Sequence, residues 1–236
     1  MNATLTQLRP ALDIVGKQGW FSMLAPETQE RLGKIAKLRT FAKNDQVFLV
    51  DDTPNGLFGL VSGSLYVSIP RGDGEDYTTY RAAPGFWVGD LALFSHHMRL
   101  VSVRAGEPTE LVHLPALVHL PALDLKRLTT KTPALYADFY TLTYENTHTL
   151  LRIIANLAIP SNQKRLADRL LMDLNARGAE EGWIAISQPE LASLTAMSLP
   201  TLRRVLRHFA ASGIITQHYG TIHVHDRKAL LKICRS

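Results

Sequence analysis

The 236-residue chain is 46% hydrophobic and 20% charged, with a formal net charge of +5 at pH 7. This length predicts two domains, each large enough to bury a core. No apolar run approaches the roughly 20 residues of a membrane-spanning helix, and the first residues, MNATLTQLRPALDIV, lack the charged-then-apolar layout of a signal peptide. The single cysteine, Cys234, excludes an internal disulfide and a cysteine-ligated iron–sulfur cluster. We therefore expect a cytoplasmic protein.

The positive charge is concentrated in the last third of the chain. Residues 161–236 contain 11 Lys and Arg against 6 Asp and Glu, whereas residues 1–160 contain 15 of each kind. A segment with such an excess releases counterions when it binds a polyanion, so the distribution favours nucleic acid as a partner.

The first half of the chain predicts two short helices followed by a β-rich region. The helices are expected from Thr4 to about Gln18 and over Pro26–Ala36. From Leu38 to about Leu114, glycines recur between short apolar segments, which is typical of a small β-barrel or sandwich. The predicted strands are Val47–Val50, Leu57–Val61, Leu65–Ile69, Trp87–Val88, Val101–Val103 and Leu111–Leu114.

A tandem duplication ends this region. The hexapeptide LVHLPA occurs at 111–116 and again at 117–122, where Pro115 and Pro121 predict a break or kink. The paired His113 and His119 suggest a metal site, but the duplication itself accounts for the pairing. We therefore interpret the two histidines as non-ligating.

Pro133–Ile159 has a long helical pattern that ends before Pro160. Its apolar residues recur near heptad spacing, and Asn146 lies on the same stripe. A buried asparagine often fixes the register of a two-stranded coiled coil, so we expect dimerisation, with packing on the chain's own barrel as the alternative. The predicted interface comprises Leu135, Phe139, Leu142, Asn146, Leu150, Ile153 and Leu157.

Residues 187–209, SQPELASLTAMSLPTLRRVLRHF, predict two short helices joined by a turn at Ala196-Met197. Ser198 is expected to cap the second helix through the Thr201 N–H, because Pro200 has no N–H to offer. That helix has an apolar stripe at i, i+3, i+4 and i+7 and an arginine face beside it, a combination that suits the DNA major groove. The stripe is Leu202, Val205, Leu206 and Phe209, and the arginines are Arg203, Arg204 and Arg207.

Flanking elements complete a winged helix-turn-helix. A helix is expected from Ser161 to about Ala176 and a strand over Trp183–Ile186; a hairpin of Ile214–Gln217 and Thr221–Val224 follows the two-helix unit. The order of barrel, long helix and winged helix-turn-helix resembles the Crp/Fnr (catabolite activator/fumarate–nitrate regulator) family of bacterial transcription factors. The resemblance rests on LFGLVSGSLYV (57–67), PGFWVGDLALF (84–94) and the segment 186–224.

The resemblance implies an α+β fold with three parts: a cyclic-nucleotide-binding-like jelly roll in residues 1–132, a dimerisation helix in 133–160, and a winged helix-turn-helix in 161–236. It implies a homodimer in which an effector in the barrel repositions two recognition helices, each of which enters half of a palindromic operator. Some family members also touch RNA polymerase.

Site residues follow from the same resemblance. Arg204 matches a guanine-reading position, whereas Leu199-Pro200 replaces a pair that is commonly polar or charged, so we expect an unusual operator and a substitute contact from Arg203. Phosphate contacts are implied for Ser198, Thr201, Arg207 and His218, and Gln188 is included in the predicted DNA-binding set.

The implied effector pocket departs from the family pattern. Cyclic-nucleotide members carry a Gly-Glu-Leu loop and an Arg-Ser or Arg-Thr pair, whereas this chain has Gly89-Asp90-Leu91 and Arg99-Leu100, and its purine-contacting positions are Leu150 and Leu151. Asp is one methylene shorter than Glu, and Leu donates no hydrogen bond. We therefore disfavour cyclic AMP as the effector and expect Arg99 to pair with Asp90.

Other functions stay open at this point. His96 and His97 lie in the loop beside the pocket and make haem an alternative effector, and regulation without any ligand is a further possibility. The rival class is a small-molecule receptor that acts on a protein partner without specific DNA binding. An enzyme is not expected, since the sequence has no nucleophile–base constellation, metal-ligand spacing or phosphate loop.

Overall fold

The computed structural model describes residues 3–95, 97–115, 133–176 and 182–236. The chain divides into two compact units, Met1–Thr149 and Leu150–Ser236, and the long helix crosses the boundary between them. The helices are α1 (Ala3–Val15), α2 (Gly19–Ser22), α3 (Pro26–Ile35), α4 (Asp90–Ser95), α5 (Pro133–Leu157), α6 (Asn162–Ala176), α7 (Gln188–Leu194), α8 (Leu199–Ala211) and α9 (Arg227–Arg235).

Within the described residues, the strands form three antiparallel sheets. The first unit has two sheets of four strands, in the orders β1-β8-β3-β6 and β2-β7-β4-β5, and the second unit has one sheet in the order β10-β11-β9. Their bounds are β1 (Lys37–Phe41), β2 (Gln46–Phe48), β3 (Leu57–Ser62), β4 (Leu65–Pro70), β5 (Asp76–Ala82), β6 (Trp87–Val88), β7 (Ser102–Ala105), β8 (Thr109–Leu114), β9 (Trp183–Ala185), β10 (Ile215–His218) and β11 (Thr221–Val224).

Two apolar clusters hold the first unit together. One takes side chains from both four-stranded sheets, with Phe48, Leu60 and Val103 among its buried members. The other packs the helices onto the first sheet through aromatic rings: the Trp20 and Phe21 rings both lie 5.3 Å from the Trp87 ring. This is the double-sheet barrel that the strand pattern predicts.

The N-terminal part of α5 packs against this barrel within the same chain. Leu135, Phe139 and Leu142 are buried in the aromatic cluster, and the Nε1 atom of Trp20 donates a hydrogen bond to the Asp138 carbonyl oxygen (2.6 Å). Asn146 likewise bonds to barrel atoms. This corrects the assignment of these residues to a dimer interface, because heptad spacing serves packing on a sheet as well as packing on a second helix.

The other predicted interface residues lie further along α5. Leu150 is exposed, Ile153 is buried and Leu157 is half-buried. Near its C-terminal end the helix also exposes Leu151 and Ile154. Towards its N-terminal end it exposes a row of tyrosines at four-residue spacing, Tyr136, Tyr140 and Tyr144, which are 58%, 71% and 59% exposed. We call these three residues the tyrosine row.

The described part of the second unit folds around an apolar core. Leu166 and Leu170 of α6, Leu206 and Phe209 of α8, and Ile222 of β11 are among its fully or nearly fully buried members. None of the described helices has the length and apolar character needed to cross a bilayer. The first LVHLPA copy supplies the end of β8, whereas His119 and Pro121 of the second copy lie outside the described residues.

Candidate nucleic-acid interface and effector pocket

The first helix of the two-helix unit is held by a reciprocal cap. The Ser187 Oγ atom accepts from the Glu190 N–H (3.4 Å), and the Glu190 Oε2 atom accepts from the Ser187 N–H (2.8 Å), which makes a capping box. The turn that follows passes through Ala196, whose φ of +48° lies in the left-handed region. The start of α7 and the direction of α8 are therefore both fixed locally.

The predicted cap of α8 is confirmed. The Ser198 Oγ atom accepts from the Thr201 N–H (3.4 Å), with Pro200 in the first turn. The Ser198 hydroxyl also donates to the Thr201 Oγ1 atom (2.9 Å), which leaves the Thr201 hydroxyl hydrogen to point elsewhere. Hydroxyls and N–H groups at the start of a helix suit a phosphate oxygen.

The two faces of α8 are those that the spacing predicts. Leu202, Val205, Leu206 and Phe209 are buried, whereas Arg203, Arg204 and Arg207 are exposed. Three guanidinium groups within two helical turns form a cationic surface of hydrogen-bond donors, which is complementary to phosphates and to the acceptors of the guanine edge.

Two neighbouring elements contribute to this surface. The Arg203 Nε atom donates to the Gln188 Oε1 atom (3.1 Å), and the Gln188 Nε2 atom donates to the Gln217 Oε1 atom (3.1 Å). At the wing, His218 is exposed, and Tyr219 at the hairpin tip is fully exposed. Gln217 and Tyr219 are absent from the DNA-binding set predicted from the sequence. For Tyr219, its position beside the turn glycine Gly220 indicates an exposed place at the tip of the wing.

In the barrel, Arg99 is only 2% exposed and bonds to atoms of its own chain. Its Nη1 atom donates to the Gly89 carbonyl oxygen (3.1 Å), and its Nη2 atom donates to the Gly56 carbonyl oxygen (2.9 Å) and the Asn55 Oδ1 atom (3.0 Å). The guanidinium carbon lies 4.1 Å from the centre of the Phe48 ring. Burial lowers the pKa of Arg99 to about 10, which still leaves it charged at neutral pH.

Asp90 does not take up the predicted pairing with Arg99. Its side chain is buried at 3% exposure, and its Oδ1 atom accepts from the Asn146 Nδ2 atom (2.7 Å). The same Asn146 nitrogen donates to the Trp87 carbonyl oxygen (3.1 Å). Burial raises the pKa of Asp90. The predicted pairing fails because the terminal nitrogens of Arg99 donate to the Gly89 and Gly56 carbonyl oxygens instead.

These residues do not fit a cyclic nucleotide. The Nη1 and Nη2 atoms of Arg99 donate to backbone carbonyls, and Asp90 bonds to the long helix. The buried Nε atom of Arg99 has no hydrogen-bond partner among the described residues. The remaining predicted pocket residues Leu91, Leu100 and Leu150 are exposed apolar side chains with nothing to donate to a phosphate or ribose. A Cβ at Gly89 would lie 2.5 Å from the Arg99 Nη1 atom, so the guanidinium fills the space beside that glycine.

The histidines give no metal geometry within the described ranges. His97 is exposed, and His96 lies outside the described residues. His113 is buried, its Nε2 atom lies 3.0 Å from the Asn55 carbonyl oxygen, and its ring stacks on Phe58 at 4.4 Å; burial lowers its pKa. Among the residues the structure describes, no three His, Cys, Asp or Glu side chains come together as metal ligands do.

A double-sheet barrel followed by a winged helix-turn-helix with an arginine-bearing second helix defines a DNA-binding transcriptional regulator with a sensory domain. Comparison with known families agrees. Residues 164–233 match the model of the Crp-like helix-turn-helix domain, and residues 38–120 match that of the cyclic nucleotide-binding domain. The chain belongs to the Crp/Fnr family of transcriptional regulators.

Solved structures share this architecture. FixK2 of Bradyrhizobium japonicum is 16% identical, with a TM-score of 0.72, and the match covers 84% of this chain and 97% of that one. The c-di-GMP-responsive global regulator CLP of Xanthomonas campestris is 22% identical, with a TM-score of 0.68, over 86% of this chain and all of that one. A Crp/Fnr-family regulator of Thermus thermophilus is 22% identical, with a TM-score of 0.64, over 85% of this chain and 99% of that one. No curated protein sequence matches the chain.

Proposed function

We propose that the protein acts in a bacterial cytoplasm as a homodimer that binds a palindromic operator and so controls transcription, with RNA polymerase as a further partner. The observation that carries the proposal is the exposed face of α8, where Arg203, Arg204 and Arg207 lie beside the capped helix start at Ser198. A cationic helix face with a buried apolar stripe behind it is the geometry of a recognition helix.

The roles within this face differ. Arg204 is proposed to read guanine, since a guanidinium group can donate two hydrogen bonds to the O6 and N7 atoms. Ser198, Thr201, Arg207 and His218 are proposed to hold the phosphate backbone, because their hydroxyls and cationic or imidazole groups are exposed or partly exposed around the helix and the wing.

The tyrosine row supports the homodimer. Three tyrosines on one side of α5 are more than half exposed. Tyrosine is enriched in protein interfaces, so a row of exposed tyrosines suits a contact with a second chain. Pairing two copies of α5 through this row would cover them. A two-fold dimer presents two recognition helices, which is the requirement for reading a palindrome.

The barrel is proposed to respond to an effector other than a cyclic nucleotide, or to act without one. Two observations support this. The basic side chain at the expected phosphate position, Arg99, donates from both terminal nitrogens to backbone carbonyls of the barrel, and the expected ribose acceptor, Asp90, bonds to Asn146.

The direct test uses the purified full chain and a library of duplexes with randomised centres. We expect rounds of selection to recover a palindrome that binds about 10³-fold or more tightly than random duplex at moderate salt. Recovery of no preferred sequence, with and without a small-molecule extract of cells, would overturn the DNA-reading function and favour a receptor that acts on a protein partner.

A further inference from the structure

Three side chains on three separate elements of the second unit form a hydrogen-bonded row that ends at the recognition helix. Gln217 on β10 accepts from Gln188, the first residue of α7, and Gln188 accepts from Arg203 on α8; both distances are 3.1 Å. These residues lie 29 and 15 positions apart along the chain, so the fold brings them together. We call Gln217, Gln188 and Arg203 the glutamine relay.

The direction of the relay is dictated by chemistry. A guanidinium group can only donate, so Gln188 must turn its amide oxygen toward Arg203. Its amide NH₂ group then faces Gln217, which in turn must offer its own oxygen. Only one of the two amide orientations of each glutamine satisfies the row, so an acceptor at position 217 stabilises the orientation of Gln188 that Arg203 requires.

Two of the three members of the relay, Gln188 and Gln217, are anchored. Gln188 follows Ser187, the residue that closes the capping box at the start of α7. Gln217 pairs with Ile222 in the hairpin, and Ile222 is buried in the core of the unit. An arginine on an exposed helix face samples many rotamers when free, and a bond from its Nε atom to an anchored acceptor reduces that freedom before any ligand arrives.

The atom that the relay occupies matters. Gln188 takes the Nε hydrogen of Arg203, which leaves the Nη1 and Nη2 atoms at the far end of the guanidinium. Those two nitrogens form the pair that donates to the O6 and N7 atoms of guanine. The neighbouring Pro200 offers no side-chain acceptor, whereas Arg203 and Arg204 offer donors only.

We propose that Gln217, acting through Gln188, is a positioning residue that holds Arg203 ready to read a guanine next to the base pair read by Arg204. This rests on the proposed DNA-binding function and deepens it. Gln188 is thereby reassigned from a direct DNA contact to the middle of the relay, and Arg203 becomes a specificity-determining residue.

The test compares the sequence preference of the full chain with those of Gln217→Leu, Gln217→Glu, Gln188→Leu and Arg203→Ala. Each is measured as the affinity ratio between the selected duplex and duplexes changed at single base pairs. The matched control is Gln163→Leu, which alters an exposed glutamine of α6 outside the relay. Thermal unfolding of every variant verifies folding, and Gln188→Leu serves if Gln217→Leu does not fold.

We expect Gln217→Leu to relax the preference roughly three- to tenfold, as loss of one hydrogen bond between two neutral amides would, and only at the base pair that Arg203→Ala also relaxes. The double variant Gln217→Leu/Arg203→Ala should lose no more of the sequence preference than Arg203→Ala alone, because both changes act on one contact. Gln217→Glu keeps an acceptor and should keep the preference, while its negative charge lowers affinity for every duplex.

Two results would overturn the relay while the proposed function stands: a Gln217→Leu variant with the wild-type preference, or effects of Gln217→Leu and Arg203→Ala that multiply. Selection of no sequence by the unmodified chain would overturn both proposals together. A preference lost equally at all positions would overturn the relay as well and assign Gln217 to the stability of the wing instead.

Discussion

The side-chain amide of Asn146 donates from one nitrogen to both the Asp90 carboxylate (2.7 Å) and the Trp87 carbonyl oxygen (3.1 Å). Asp90 opens α4 and Asn146 lies on α5, so this amide joins the loop expected to sense the effector to the long helix. Within the described residues, the Asp90 Oδ2 atom has no hydrogen-bond partner and is buried. The hydrogen bond from Asn146 therefore supplies a large part of the stabilisation of this buried carboxylate.

Replacing Asn146 by leucine should cost about 1–3 kcal/mol of unfolding free energy, because it leaves a buried acceptor with one partner fewer. Urea denaturation followed by tryptophan fluorescence measures the change. Thr147→Leu, at the next and more exposed position of α5, is the control and should shift stability by less than about 0.5 kcal/mol. Equal effects of the two substitutions would show that the Asn146 amide contributes nothing.

The raised pKa of Asp90 makes a pH-dependent prediction. A carboxyl group whose pKa is higher in the folded state binds its proton more tightly there, so its contribution to stability is greatest at low pH. That contribution falls as pH rises from about 3.9, the ordinary pKa of aspartate, through the folded-state value. The asparagine of an Asp90→Asn variant cannot ionise. The unfolding free energy of the variant minus that of the wild type should therefore increase as the pH rises over this interval. A constant difference between the two proteins across the interval would contradict this.

Arg204→Ala and Arg207→Ala should separate base reading from phosphate contact. Loss of Arg204 should cost about 1–3 kcal/mol on the selected operator and little on random duplex. Loss of Arg207 should weaken both and make the slope of log K against log salt shallower by about one. Fluorescence anisotropy titrations over a range of about 50 to 200 mM salt provide both numbers. Identical behaviour of the two variants would refute the division of roles.

Opposite faces of α5 should respond differently to substitution. Placing aspartate at Tyr140 and Tyr144 should give a folded monomer, since two charges would be brought into the proposed interface. Leu142→Ala, on the buried face, should instead cost about 2–5 kcal/mol of stability without a specific loss of the dimer. Light scattering and urea denaturation on the same samples distinguish the two. A dimeric Tyr140→Asp/Tyr144→Asp variant would place the interface elsewhere.

Local patterns predicted the parts of the fold that local physics determines. The apolar runs at Leu57–Val61 and Leu65–Ile69 are strands, and the Ser198 cap and the two faces of α8 occur as expected. By contrast, β1 and β5 lie at the edges of their sheets and are partly exposed, so their sequences KLRTF and DYTTYRA contain no apolar run to reveal them. The last helix, Arg227–Arg235, is short and strongly basic and was missed as well.

Side-chain partners were harder to predict than elements. The bond between Asn146 and Asp90 spans 56 residues, and that between Gln217 and Gln188 spans 29. Neither pair has a spacing that any helical or strand period would single out. The heptad stripe on α5 was real, but a periodic pattern specifies which face is buried and not what covers it.

The burial of Arg99 and its hydrogen bonds to the barrel backbone have a consequence for genetics. A screen for variants blind to an effector would ordinarily treat an arginine at the expected phosphate position as a prime target. Here its substitution removes the donor shared by the Gly89 and Gly56 carbonyls, so the first phenotype is a lower amount of folded regulator in the cell. We therefore expect loss-of-function alleles at this codon to act through the abundance of the folded protein rather than through reception of a signal.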